Sequence, residues 1–177
     1  RGLCNYRTTA DCMPHILDEK NVRMLTSHKV FSEVELKSRY EIMLENYCKT
    51  VMIEACTMVD MAKKQILPAV SAYTTDLAES VGKKLNLGTD IACKYEKEAV
   101  KKLSILCDKI AEATDLLEGT LVKIKAAESI GEESEMIRDA VLVAMSELRV
   151  ACDEAETMTA EKYWPFPTYG ELLFGVR

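Results

Sequence analysis

Histidine, proline, glycine and aromatic side chains are all scarce in this 177-residue sequence, and the shortages of histidine and glycine each exclude a class of function. Two histidines, His15 and His28, with no C-x-x-C pair, leave no usual zinc-ligand spacing. No glutamate stands three residues before a histidine, so the E-x-x-H pair of di-metal bundles is missing. The glycines are isolated: Gly82 and Gly88 build no phosphate-cradling loop. Neither histidine falls in a recognised nucleophile motif. No apolar run approaches the ~20 residues that span a bilayer, which argues against a membrane role. A formal net charge of −6 argues against nucleic acid. The residues thus predict no catalytic, cofactor-binding or metal site.

What is present reads as one globular domain, with 48% hydrophobic and 29% charged residues. Seven cysteines in no paired spacing, mostly on apolar helical positions, predict buried, reduced thiols and a cytoplasmic location. The opening "RGLCNYRTTADC" has neither an apolar signal-peptide core nor an initiator methionine, and predicts a segment cut from a longer polypeptide.

Apolar spacing is helical nearly throughout. Residues 1–30 are expected to hold short helices, with Thr8, Thr9 or Asp11 as caps and Pro14 in a first turn. "SEVE" at 32–35 is a capping-box sequence, with Phe31 before it as a hydrophobic staple. From there Leu36, Tyr40, Met43, Tyr47, Val51, Ala55, Met58 and Ala62 recur at three- and four-residue steps, and the pattern continues past Pro68 to Leu85. Pro68 predicts a kink rather than a stop. "NLGTD" is expected to end this helix, with Asn86 or Gly88 left-handed and Thr89 or Asp90 capping the next. That next helix carries Ile91, Tyr95, Ala99, Leu103, Leu106, Ile110, Leu117, Leu121 and Ile124, weakened by about 1 kcal/mol at Gly119. After a turn at "IGEE", Ile137, Val141, Ala144, Leu148, Ala151, Ala155 and Met158 form a heptad seam. The expected fold is all-α: an elongated antiparallel bundle of long helices over 32–86, 89–129 and 132–159. The first helix would keep an apolar face that something else must cover. Lys94, Glu98 and Lys102 read as a solvated helix face.

The aromatic residues are few but gathered. "KYWPFPTYGELLF" at 162–174 holds the only tryptophan and two of the three phenylalanines. Pro165 and Pro167 forbid helix in "WPFP", so an extended aromatic tail is predicted, with a short helical turn or strand possible in "TYGELLF". Such a tail either caps its own bundle or docks on a neighbour. Tyr163, Trp164, Phe166, Tyr169, Leu172, Leu173 and Phe174 are the candidate contact residues.

"RGLCNYRTTADCMPHILDEKNV", "VFSEVELKSRYEIMLENYCKTVMIEACTMVDMAKKQILPAV" and "IRDAVLVAMSELRVACDEAE…KYWPFPTYGELLF" closely resemble the C-terminal portion of type III glutamine synthetases, the large bacterial form. The resemblance covers residues 1–85 and 137–174. It implies a parent ligase joining ammonia to glutamate, with ATP and Mg or Mn, in a cytoplasmic homo-oligomeric ring. It places the catalytic, nucleotide and metal residues in a preceding domain, and none carries over to this chain. The reading that follows is a structural or assembly domain, inert by itself, whose partners are the parent's catalytic domain and neighbouring subunits. A regulatory domain binding a small metabolite between helices, or an independent helical adaptor, are the rival readings.

Overall fold

The computed structural model describes residues 2–88 and 91–175. It is all-helical, with no strand among the described residues. In chain order the elements are α1 (Thr9–Cys12), a 3₁₀ turn (Met13–Leu17), α2 (Glu19–Ser27), α3 (Glu33–Met61), a π segment (Ala62–Ile66) and α4 (Leu67–Leu87). They continue with α5 (Lys94–Ile124), α6 (Ile130–Met136), a second π segment (Ile137–Val141), α7 (Leu142–Met158) and α8 (Tyr169–Phe174).

Local chemistry explains the element ends. Thr8 caps α1 by accepting from the Asp11 amide at 3.1 Å. Ahead of α3 the Ser32 amide donates to Glu35 Oε2 at 2.7 Å and the Glu35 amide to Ser32 Oγ at 3.3 Å. That is the reciprocal capping box expected from "SEVE". Phe31 carries the Arg39 guanidinium 4.4 Å above its ring. Pro68 is the second residue of α4, which continues without a break from the segment before it. The preceding turn is a π turn, in which the Leu67 amide reaches back five residues to the Ala62 carbonyl. The second π segment has no proline; there Leu142 reaches back to Ile137.

Several expectations are corrected. Asn86 lies inside α4, and Gly88, at φ 166°, is extended rather than left-handed. The proposed caps Thr89 and Asp90 fall outside the described residues, and α5 begins only at Lys94. Met43 is 51% exposed while its neighbour Leu44 is fully buried, since Leu44 lies eight residues after Leu36 and four before Cys48 on one face. Tyr95 is exposed, whereas Thr114 fills the gap between Ile110 and Leu117 and satisfies its hydroxyl on the Ile110 carbonyl at 2.6 Å. All seven cysteines are free, but Cys4, Cys12 and Cys56 are exposed rather than buried. Of the two forms open to "TYGELLF" the helical one is found, as α8, so the extended chain does not run on to residue 174.

The chain divides into two compact units, Arg1–Cys56 with Glu118–Ala144, and Thr57–Leu117 with Met145–Arg177. In the first, Leu36, Leu44, Cys48 and Val51 of α3 are buried, as are Leu121, Ile124, Ile137 and Val141. Arg138 pins the N-terminal helices here: its Nη1 donates to Asp11 Oδ1 at 2.8 Å, while Nε and Nη2 grip Asp139 at 2.7 and 2.8 Å. The second unit buries Val59, Ile66 and Val70 with Leu103, Leu106 and Ile110 of α5 and Leu148 and Ala155 of α7. Lys84 pairs with Glu96, and Lys63 with Asp115 at 4.0 Å, so α4 and α5 run antiparallel. No helix among the described residues is long and apolar enough to cross a membrane.

Candidate functional site

The C-terminal segment divides into a fastened half and a presented half. After α7 the Thr159 hydroxyl returns to the Ala155 carbonyl at 2.7 Å, and a turn closes with the Tyr163 amide on Ala160 O at 2.9 Å. This turn sets Tyr163 against α4. Its hydroxyl donates to the Asp76 carboxylate, and its ring lies 5.3 Å from that of Tyr73. Lys162 Nζ sits 4.5 Å above the Tyr163 ring and 3.8 Å from Asp76. Hydrogen bonding with Tyr95, and then burial, raise the Tyr73 pKa.

The next residues lie over the helices. Trp164 and Phe166 meet edge to face at 6.0 Å and close one side of a cavity of about 240 Å³. Met58, Met61, Ile66, Leu148 and Cys152 supply its apolar wall. Burial pushes the Cys152 thiol up to about 11, so it is protonated and behaves as a small hydrophobe. Arg149, Asp153 and Glu156 stand at the cavity as its charged groups.

Beyond Pro167 the chain re-enters helix because of one local device. Thr168 Oγ1 accepts from the Glu171 amide at 3.2 Å, and Glu171 Oε2 accepts from the Thr168 amide at 2.7 Å. This is a complete capping box, legible as T-x-x-E in "TYGE". On the helix it opens, Tyr169 is 84% exposed, Leu172 65%, Leu173 72% and Phe174 81%. Its one carboxylate, that of Glu171, is engaged in the cap at the start of the helix, and the other exposed side chains are apolar apart from the Tyr169 hydroxyl. Of the seven candidate contact residues, then, Tyr163, Trp164 and Phe166 are half-buried on their own chain and four stand exposed on α8.

No cluster of three His, Cys, Asp or Glu suited to a metal occurs among the described residues. A groove of about 640 Å³ between α4 and α5 is lined by Ser71, Thr74, Thr75 and Ser104. The hydroxyls of the last three are committed to carbonyls four residues earlier, at 2.7 to 3.0 Å. His15 Nδ1 lies 3.0 Å from Asp18 Oδ2, with Tyr6 stacked on its ring at 4.2 Å.

With this geometry in hand, the family profile described as "Glutamine synthetase C-terminal domain" matches residues 1–85. Over 177 residues the chain is 36% identical to the glutamine synthetase of Butyrivibrio fibrisolvens, covering all of this chain and 25% of that protein. It is 29% identical to the Type-3 glutamine synthetase of Dictyostelium discoideum, over 98% of this chain and 24% of that one. It is 27% identical to the glutamine synthetase of Bacteroides fragilis strain YCH46, with the same coverage. The chain spans about a quarter of the length of these relatives.

Proposed function

The chain belongs to the glutamine synthetase C-terminal domain family, and from that membership we propose that it is the helical support segment of a larger ligase. In this reading the parent joins ammonia to glutamate with ATP and Mg or Mn, and the groups for that chemistry lie in the polypeptide outside this chain. The chain itself contributes contacts, to the parent's catalytic domain and to neighbouring subunits of a cytoplasmic homo-oligomer.

One observation carries the reading: a capped helix holds Tyr169, Leu172, Leu173 and Phe174 at 65–84% exposure. Apolar side chains gathered in this way mark an interaction surface. Burying Leu172, Leu173 and Phe174 against a partner would return on the order of 5 kcal/mol before the costs of association. Trp164 and Phe166 anchor the segment, and with Pro165 and Pro167 around them α8 is displayed on a short, stiff connection.

The test is made in the full-length polypeptide. Leu172→Ser with Phe174→Ser is expected to lower the assembled fraction in light scattering while leaving turnover per assembled particle near wild type. Intact assembly with lost turnover would overturn the support role. The 177-residue chain alone is expected to form no glutamine from ATP, glutamate, ammonia and magnesium; any formed would locate a catalytic site within it.

A further inference from the structure

We propose that the open cavity bordered by Trp164 and Phe166 is a binding site for a small organic ammonium ion with an aromatic or branched apolar body. The inference stands apart from the support role, because it concerns side chains of one unit and its readout is in this chain alone.

The cavity has the make-up of a ligand site rather than of a packing defect. Its volume of about 240 Å³ lies just below the usual range for small-molecule pockets and exceeds several-fold what one water molecule occupies. Its walls are thioether, thiol and branched aliphatic groups from Met58, Met61, Cys152, Ile66 and Leu148, which offer a water molecule no partner. Methionine walls adapt to a ligand's shape. Two aromatic rings, Trp164 and Phe166, border this space and meet edge to face.

Charge selects the ligand class. Three ionic groups reach the cavity, and two of them, Arg149 and Asp153, pair with each other at 3.4 Å. The third, Glu156, makes no ion pair among the described residues and leaves the mouth with one uncompensated negative charge. A monovalent cation with an apolar body satisfies all three features. Its body fills the thioether wall, its ammonium meets the Glu156 carboxylate, and the indole face attracts the positive charge. A carboxylate ligand would face Glu156, and a neutral one would forgo the charge.

Trp164 is the only tryptophan, so its emission reports on the site without a label. The 177-residue chain is titrated at low salt with phenethylammonium, its neutral counterpart 2-phenylethanol and the anion 3-phenylpropanoate. The ammonium is expected to give a saturable change with a dissociation constant on the order of 1 mM, set by so small a ligand. It should bind roughly threefold to tenfold tighter than the alcohol, with the anion weakest. Glu156→Gln, an exposed position whose helical circular dichroism should not change, is expected to erase that margin and leave the alcohol as before. Equal, unsaturable quenching by all three probes, or a margin that survives Glu156→Gln, would overturn the proposal. So would an emission change with protein concentration alone, which would give the cavity to a side chain from a second copy.

Discussion

The hydroxyl of Tyr163 donates to the carboxylate of Asp76, tying the turn after α7 to the middle of α4 across 87 residues of sequence. The Tyr73 ring lies tilted against the same ring at 5.3 Å, and Lys162 lies over it. Tyr163→Phe keeps the ring contacts and removes the hydrogen bond alone. The loss should be about 1 kcal/mol, felt locally as release of the turn. Trypsin cleavage after Lys162 is then expected to quicken by roughly fivefold, with cleavage at Arg149 inside α7 unchanged. Equal rates at Lys162 in the two proteins would show that the bond does not hold the turn.

Gly119 sits inside α5 and Gly82 inside α4, and an added Cβ would meet nothing within 4 Å at either position. Glycine therefore costs helix stability there without a packing reason for its presence. Gly119→Ala should stabilise the chain by roughly 0.5–1 kcal/mol, partly by restricting the unfolded state. Gly82→Ala should act in the same direction, and the two should add because the sites lie on different helices. A higher urea midpoint is expected for each, with unchanged slope.

Much of the helical pattern was legible before any coordinates. The Ser32–Glu35 box and the seam Ile137, Val141, Ala144, Leu148, Ala151, Ala155 rest on local spacing, and both stand in the structure. Where two apolar residues are adjacent, as at Met43 and Leu44, periodicity alone chose the wrong one, because only the seam as a whole fixes the phase. The π segments left no sequence signal of their own: one precedes Pro68, the other no proline at all. Helix α8 was one of two forms open to "TYGELLF", and the T-x-x-E spacing of Thr168 and Glu171 is what decides for helix. Which tail aromatics would lie on their own chain was beyond reach of the sequence. That depends on Tyr73, Asp76, Met58 and Met61, which are distant in sequence from the tail.

Acid should weaken the fold through several carboxylates at once. Hydrogen bonding from Thr8, aided by the Arg138 guanidinium, holds the Asp11 carboxyl below its usual range. The Ser32 amide does the same for Glu35, and Lys84 for Glu96. A group whose pKa is depressed by folding binds fewer protons in the native than in the unfolded chain. Its contribution is complete above the unfolded value, near 4, and is lost as pH falls through the native value. Urea midpoints should therefore hold steady from pH 7 to 5 and drop below about 4. Asp11→Asn should start lower at pH 7, because Arg138 loses a charged partner, and fall less steeply in acid. An identical slope for the variant would remove Asp11 from the acid response.

The Tyr47 hydroxyl is buried and has no hydrogen-bond partner among the described residues. Burial is also the main cause that raises its pKa. A polar group taken from water without a replacement partner is a net cost to folding, and removing it leaves the ring's packing intact. Tyr47→Phe is thus expected to be neutral or stabilising, by up to about 1 kcal/mol, in contrast to the loss predicted for Tyr163→Phe. Thermal or urea unfolding of the two variants side by side makes the comparison. The same phenol-to-phenyl change should carry opposite signs, because one hydroxyl has a carboxylate to donate to and the other has nothing. A loss above 1 kcal/mol for Tyr47→Phe would mean that its hydroxyl is satisfied in solution, with an ordered water as the partner to look for.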